Sequence, residues 1–172
     1  TGNGISGPLA LTLSSNINRI SPENVEIYID FKPALDDFAL FSRIERDIKE
    51  LGSKQFSSLL EGLLPKSLAE VFAKRLQIAK TKKVSQLTKE EREKLCFMLK
   101  NFKLKYAGLD DIERAVITSG GVSTKDIKPK SMESKLISKL YFVGEVVDVD
   151  ALTGGFNLQL AFSMAASCAS DF

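Results

Sequence analysis

One segment in the last third of the sequence constrains the fold more than any other. Residues 140–143 are apolar and predict a buried strand, and a polar turn follows them. Gly154 and Gly155 then allow the backbone to approach another group closely. The apolar residues from Phe156 onward predict a helix, whose first amides have no partner inside the helix. Because the helix dipole is positive at this end, the segment predicts a site for an anion or an electron-rich ring edge.

Size and charge limit the class of protein. The 172 residues suffice for one domain or for two small ones. The formal charge of +2 is too small to argue for nucleic acid, so no nucleic-acid partner is expected. No apolar run approaches the roughly 20 residues that span a bilayer, and no signal peptide is visible, so we expect a cytoplasmic protein without a membrane partner. The sequence begins with Thr1 rather than Met, which favours a piece of a longer protein.

Histidine is absent from the sequence, and this absence excludes several kinds of site. A Ser-His or Cys-His nucleophile pair and a His-ligated zinc cannot form, and two cysteines cannot complete a four-cysteine zinc site. We therefore predict no metal site, name no catalytic residue, and expect a bound cofactor to carry any chemistry. Cys96 and Cys168 either form a disulfide or remain reduced, and we favour the reduced form.

The middle of the sequence predicts four helices. Apolar residues recur at spacings of three and four up to Leu51, and Gly52 ends this first helix. A short helix ends before Pro65, a third covers residues 67–79, and Thr88 with Glu91 forms a capping box for a fourth. The residues expected to face the core are Leu35, Phe38, Phe41, Ile44, Ile48, Leu51, Leu59, Leu60, Leu63, Leu64, Leu68, Val71, Phe72, Leu76, Leu95, Leu99 and Phe102.

Strands are predicted on both sides of these helices. Residues 25–31 and 102–106 alternate apolar and polar side chains, and residues 115–118 form another short apolar run. A helix with Pro8 in its first turn precedes the first strand. This order predicts an α+β fold in which a helical bundle is inserted within a β-containing domain, followed by a C-terminal strand, turn and helix.

Short motifs in a fixed order give the sequence a family resemblance. They are Gly4-Ile-Ser-Gly-Pro, Ile29-Asp-Phe-Lys-Pro, Leu63-Leu-Pro-Lys, Lys100-Asn-Phe, Thr118-Ser-Gly-Gly-Val, Met132-Glu-Ser-Lys, Leu140-Tyr-Phe-Val-Gly-Glu, Asp148-Val-Asp and Thr153-Gly-Gly-Phe-Asn-Leu-Gln. In this order they resemble the BaiN-type flavoproteins, bacterial FAD-dependent NAD(P)H oxidoreductases that include members like bile-acid reductase and aminoacetone oxidase. The resemblance covers essentially the whole chain.

The resemblance implies an architecture. Residues 1–33 would be the end of an inserted β region, 34–102 its helical bundle, 103–122 the return strands and 123–172 the C-terminal FAD-binding segment of a Rossmann-like domain. The Gly-x-Gly-x-x-Gly turn that grips the pyrophosphate in this family is absent from the sequence. The resemblance thus implies a flavoprotein fragment that is inactive alone, whose parent uses FAD and NAD(P)H to reduce an organic acceptor or oxygen.

The resemblance also implies which residues contact the flavin. Glu145 would accept hydrogen bonds from ribityl hydroxyls, and the amides beyond Gly155 would face the N1–C2 carbonyl edge of the flavin. The full set of predicted cofactor-binding residues is Gly144, Glu145, Asp148, Gly154, Gly155, Asn157 and Leu158.

Two alternatives to this interpretation remain at the level of sequence. The chain could be a non-enzymatic helical interaction domain whose glycine turns are only structural. Its sheet edges could also pair between copies of the chain, which would cause self-association.

Overall fold

The computed structural model describes residues 4–170, and the remaining residues at the two ends lie outside this description. The described chain divides into two compact units. Glu26–Tyr106 forms one of them, which we call the helical unit. The described residues up to Val25 and from Ala107 onward form the other, which we call the discontinuous unit.

The helical unit contains four α-helices and one pair of strands. The helices are α2 (Asp37–Leu51), α3 (Phe56–Leu63), α4 (Lys66–Leu76) and α5 (Lys89–Lys100). Strand β1 (Ile27–Ile29) pairs antiparallel with β2 (Phe102–Leu104), with Ile27 opposite Leu104 and Ile29 opposite Phe102. The four predicted helices and the first return strand are therefore confirmed, as is the mixed α and β class of the fold.

Local capping explains where these helices begin and end. The Asp36 side chain accepts a hydrogen bond from the amide of Ala39 at 2.7 Å and starts α2. Thr88 and Glu91 form the predicted capping box at the start of α5, since each side chain bonds the other residue's amide. Helix α2 ends at Gly52, as the sequence predicted.

The core of the helical unit is built from side chains of its helices, its strand β2 and the segment between α4 and α5. Phe72 is fully buried, stacks on Phe102 with ring centroids 5.1 Å apart, and meets the edge of Phe31 at 5.6 Å. The buried cluster comprises Leu40, Ile44, Phe56, Leu59, Leu60, Leu63, Leu64, Ala69, Phe72, Ala73, Ile78, Val84, Leu87, Leu95, Leu99 and Phe102.

Two residues expected in this core are exposed instead. Phe38 is 81% exposed, because Leu40, two residues further along α2 and therefore on nearly the opposite side of the helix, faces the core instead. Val71 is 38% exposed on α4, where Phe72 and Ala73 take the inward positions instead. Both predictions of burial were wrong, since helical periodicity identifies a face but not how far the neighbouring helices cover it.

The discontinuous unit contains two α-helices and a small core. Helix α1 (Pro8–Ile17) begins with the predicted proline, and helix α6 (Phe156–Ala169) begins after the glycine pair. Its core cluster consists of the buried side chains Ile127, Met132 and Val147, with Val122, Phe142, Met164 and Cys168 packed against them. Helix α6 itself has no buried residue.

Two predicted strands of this unit do not form. In residues 140–143 the structure has one isolated bridge, between Tyr141 and Glu133, and residues 115–118 form no strand. The predictions were wrong because an apolar run becomes a strand only where another strand pairs with it along its length. Within the described residues, neither run has such a partner.

Both cysteines of the described chain are free thiols. Burial, with smaller contributions from Asp37 and Glu45, raises the pKa of the Cys96 thiol to about 11. Cys96 is therefore a protonated, unreactive side chain at neutral pH. Among the described residues, no helix is both long and apolar enough to cross a bilayer.

Candidate functional site

The predicted site residues lie in the discontinuous unit, around the start of α6. Gly144 opens a short 3₁₀ turn, Gly144–Val146, with φ of 79°. A Cβ added at Gly144 would lie 3.9 Å from the Cβ of Ala161 on α6, which is ordinary contact. The positive φ therefore favours glycine here, and the small side chain at 161 lets α6 lie against this turn.

A short parallel pairing sets the position of the residues that follow. The amide of Val122 donates to the Val146 carbonyl at 2.8 Å, and the amide of Asp148 donates to the Val122 carbonyl at 2.9 Å. Gly121 has a φ of 134°, and a Cβ on it would lie 2.4 Å from the Val146 carbonyl oxygen. Gly121 therefore allows this pairing, and a larger residue would obstruct it.

Asp148 forms an ion pair within the unit. Its Oδ1 lies 3.3 Å from Nη2 of Arg19, and the same Nη2 donates to the Ser119 hydroxyl at 3.4 Å. Arg19 thus links the segment after α1 to two segments at the site. The ion pair is partly exposed, with 69% of the Arg19 side chain accessible, so its contribution to stability is small.

Asn157 holds the acidic turn that precedes α6. Its Oδ1 accepts from the amide of Ala151 at 2.8 Å, and its Nδ2 donates to the Ala151 carbonyl at 3.0 Å. The side chain thereby satisfies both backbone groups of a residue that has no strand partner. Asn157 therefore positions the turn, and its backbone amide is the group left for a ligand.

The start of α6 presents its backbone without a side-chain cap. Gly154 and Gly155 have φ of 125° and 89°, and among the described residues no side chain bonds the first amides of the helix. Phe156 and Leu158, which flank these amides, are 58% and 64% exposed. Glu145 is also exposed. Within the described part of the chain, the site thus consists of unpaired amides together with an exposed carboxylate and apolar side chains.

The Met132-Glu-Ser-Lys motif lies beside this site and has structural contacts. Met132 is buried, and the hydroxyl of buried Ser134 accepts from the amides of Leu136 and Ile137. Glu133 accepts from Lys128 Nζ at 2.6 Å and from the Lys139 amide at 2.8 Å, and these bonds hold its pKa below the ordinary value. The motif therefore fixes a loop.

Sequence reasoning missed two of these contacts. Arg19 was not predicted as part of the site, because an isolated arginine after a helix gives no signal of a partner far along the chain. Asn157 was predicted to contact the cofactor through its backbone amide, and the additional bonds of its side chain to Ala151 were not foreseen. The spacing of six residues across a Gly-Gly turn is the one signal that could have suggested a local side-chain bond.

The chain is similar in sequence to several known proteins. The chain is similar to the ribosomal RNA dihydrouridine synthase of Haemophilus influenzae, with 35% identity over 98% of the chain and 40% of that protein. It is 30% identical to the enzyme of the same name from Escherichia coli, over 99% of the chain and 41% of that protein. It is 26% identical to the 3-dehydro-bile acid delta(4,6)-reductase of Clostridium scindens, over 95% of the chain and 40% of that protein.

The chain thus spans about two fifths of the length of each of these relatives. The resemblance to the bile-acid reductase group is supported as a distant one, and the two dihydrouridine synthases share more identical residues with the chain. The family description "HI0933-like protein barrel and H2TH domain" matches residues 1–117, which include the whole helical unit. On this match and these identities, the chain belongs to the HI0933-like family.

Proposed function

We propose that this chain is part of a flavin-dependent reductase that adds hydrogen across a carbon–carbon double bond of uridine in ribosomal RNA. The observation that carries the proposal is the 35% identity to a ribosomal RNA dihydrouridine synthase over 98% of the chain. The cofactor would be FAD, with NAD(P)H as the source of electrons. The remainder of the parent protein would supply the nucleotide-binding half that this sequence lacks.

The start of α6 fits a flavin. Its unpaired amides lie at the positive end of a 14-residue helix, where they would stabilise negative charge on a ring edge by about 0.3–1 kcal/mol. Gly154 and Gly155 keep side chains away from these amides. When bound, FAD would supply hydride transfer, for which the chain has no substitute among its own side chains.

Each of the predicted site residues would have a separate role in holding the flavin. The Leu158 and Asn157 amides would face the pyrimidine edge of the flavin, and the Glu145 carboxylate would accept from ribityl hydroxyls. Gly144 would keep the turn narrow, and Asp148, held by Arg19, would position the segment rather than bond the flavin directly. Asn157 would fix the turn before the helix through Ala151.

The names of the relatives point to one shared chemistry. Dihydrouridine differs from uridine by two hydrogens across a double bond conjugated to a carbonyl, and a 3-oxo steroid with a 4,6-diene also carries such a conjugated bond. In both cases hydride adds to one carbon and a proton to its neighbour, while NAD(P)H is oxidised to NAD(P)⁺. The higher identities to the dihydrouridine synthases favour uridine, and a steroid enone is the second candidate.

The exposed apolar surface of the discontinuous unit supports a missing partner within the parent protein. Helix α6 is apolar yet has no buried residue, and Phe162 on it is 70% exposed. A helix with apolar side chains on every face is usually covered by other structure. The nucleotide-binding half of the parent would cover it.

The test compares the chain with a version extended to full length. After incubation with FAD and desalting, the full-length protein should retain the visible absorption of flavin, and the present chain should not. With NADPH and unmodified ribosomal RNA, mass spectrometry of nucleosides should then detect dihydrouridine. Retained flavin with no dihydrouridine, but with turnover of a 3-oxo-4,6-diene steroid, would replace the substrate. Absence of flavin from the full-length protein would refute the proposal.

A further inference from the structure

The two units carry net charges of opposite sign, although the net charge of the whole sequence is small. The helical unit carries 17 Lys and Arg against 12 Asp and Glu, a net charge of +5. The rest of the sequence carries 7 against 10, a net charge of −3. The overall charge of +2 is therefore the sum of a basic unit and an acidic remainder, and the small total does not exclude a nucleic-acid partner for the basic unit.

The excess of lysine is concentrated in two turns that pair with each other. The turn at 51–56 precedes α3, and the turn at 77–89 connects α4 to α5. Together they contain five lysines and no Asp or Glu, the lysines being Lys54, Lys80, Lys82, Lys83 and Lys89. We call these two segments the paired turns.

Backbone hydrogen bonds make the paired turns a fixed surface. Gln55 and Lys83 form an antiparallel bridge. The amide of Phe56 donates to the Lys82 carbonyl at 2.8 Å, and the amide of Val84 donates to the Lys54 carbonyl at 2.9 Å. The side chains of Phe56 and Val84 are fully buried and anchor both turns in the core. The lysines are therefore displayed on backbone that is already ordered.

Several of these lysines are available to a partner. Lys54 and Lys83 are exposed, and among the described residues neither makes an ion pair. Lys80 pairs with Glu70 at 3.2 Å, but both side chains are more than half exposed, so the pair is weak and can exchange. Lys82 is tied to Glu91 at 2.7 Å and holds the turn to α5.

The composition of the surface fits an RNA backbone better than a lipid headgroup layer. The exposed side chains between these lysines are polar, such as Thr81, Ser85 and Gln86, which commonly contact phosphate and sugar. Of the apolar side chains of the turns, Phe56, Ile78, Val84 and Leu87 are buried, Leu51 is half-buried, and the small side chain of Ala79 is exposed. A peripheral membrane surface usually inserts large exposed apolar side chains beside its lysines, and the paired turns expose no large apolar side chain.

We propose that the paired turns bind the phosphate backbone of the RNA substrate and position it, without reading its sequence. The proposal rests on the proposed function, since it takes ribosomal RNA as the substrate. It assigns this task to the helical unit, which lacks the predicted flavin residues, and so separates RNA positioning from the reducing chemistry.

The test measures RNA binding by the 172-residue chain without flavin or reductant. Fluorescence anisotropy with a fluorescein-labelled RNA hairpin would give the Kd at several salt concentrations. The double variant Lys54→Gln, Lys83→Gln should bind the hairpin roughly tenfold more weakly. The negative slope of the logarithm of the association constant against the logarithm of the salt concentration should become shallower by about 1.4–1.8, the value for two lost phosphate contacts. The matched control is Lys125→Gln, Lys130→Gln in the other unit, which should leave both quantities unchanged.

Three results would overturn the proposal. The first is an unchanged Kd and salt slope in the double variant with an unchanged circular dichroism spectrum. The second is an equal loss in the control variant, which would indicate nonspecific attraction. The third is binding to phosphatidylserine vesicles, lost in the double variant, with no binding to the hairpin.

A second measurement separates this proposal from the proposed function. In the full-length protein, the double variant should keep its flavin absorption and raise KM for ribosomal RNA about tenfold, with kcat retained at saturating RNA. If the full-length protein binds RNA through the paired turns but forms no dihydrouridine, the proposed reaction fails while this inference stands. If dihydrouridine forms with an unchanged KM in the double variant, the inference fails and the reaction stands.

Discussion

The two units of this chain differ in how completely they bury their own apolar side chains. The helical unit encloses a cluster of 16 buried residues, whereas the core cluster of the discontinuous unit has three. Yet α6 is the more apolar helix by sequence, and α5 is strongly charged. The difference shows that burial depends less on apolar content than on whether complementary faces exist within the same chain.

The pattern of each helix accounts for this difference. Helix α5 places Leu95 and Leu99 on one stripe, which meets the stripe of α2 and is fully buried. Helix α6 distributes apolar residues around its circumference. It packs against the Gly144 turn and, through Met164 and Cys168, against the small core cluster, and most of its surface stays exposed. One neighbouring helix can bury an apolar stripe, but a helix with apolar side chains on every face needs several neighbouring elements to bury it.

The largest expected effect tests the core of the helical unit. Phe72→Ala removes a fully buried ring that contacts two other aromatic rings, and it should lower the free energy of unfolding of the helical unit by about 3–5 kcal/mol. Phe162→Ala, at a ring that is 70% exposed, should change the stability of this chain by less than about 0.5 kcal/mol. Urea unfolding followed by circular dichroism measures both. Equal losses in the two variants would mean that the units do not differ as described.

The next effect concerns backbone packing in the discontinuous unit. Gly121→Ala would bring a Cβ to 2.4 Å from the Val146 carbonyl oxygen, and it should cost about 1–3 kcal/mol of local stability. Gly120→Ala is the matched control, since it also has a positive φ, of 111°, but open space around the added Cβ. Hydrogen exchange of the Val122 and Asp148 amides should accelerate more in the first variant. Equal acceleration would show that the backbone conformation alone, and not the contact, is responsible.

A smaller effect is expected from the turn that Asn157 holds. Asn157→Ala removes two hydrogen bonds to Ala151 and should lower local stability by about 1–2 kcal/mol. Exchange of the Ala151 amide would rise, and flavin retention in the full-length protein would fall. Gln159→Ala on the same helix serves as the control, because its side chain bonds only the neighbouring Ser163 at 3.5 Å. Unchanged exchange at Ala151 would contradict the positioning role.

The smallest effect is a dependence of the helical unit on pH. Burial raises the pKa of Glu91, but the hydrogen bonds from Lys82 and Thr88 together lower it by a larger amount. The pKa of Glu91 in the folded protein therefore lies below its ordinary value of 4.5. A lowered pKa in the folded state means that the contribution is complete above the unfolded value and is lost as pH falls through the folded value. Stability should therefore fall below about pH 4.5, by under about 1 kcal/mol from this group. Urea unfolding at a series of pH values measures this effect. In Glu91→Gln the free energy of unfolding should depend less on pH in the acidic range, and an unchanged dependence would mean that another group causes it.

The sequence predicted the helices of the helical unit closely, because their signals are local. The capping pair Thr88 and Glu91 marks the start of α5, and Gly52 marks the end of α2, each within a few residues of the feature it determines. The strands at 115–118 and 140–143 were predicted wrongly, since pairing depends on residues far away in the chain. The exposure of Phe38 could not be read from periodicity for the same reason.

The candidate site was predicted only as a set of positions. The glycines before α6 were identified because a glycine pair allows close approach of the backbone, and the structure gives Gly154 and Gly155 the positive φ that glycine adopts readily. The contact of Arg19 with Asp148 joins residues 129 positions apart and leaves no local trace. The flavin contacts themselves remain predictions, which the absorption measurement above addresses.

The pairing of β1 with β2 has a consequence for the history of the chain. Because Ile27 lies opposite Leu104, the helical unit begins and ends at neighbouring points. A module whose two ends meet can be gained, lost or exchanged while the host chain needs only a short connection between them. The helical unit could therefore evolve almost independently of the rest of the chain. Its substitutions would change what the protein binds, while the residues around α6 stay the same.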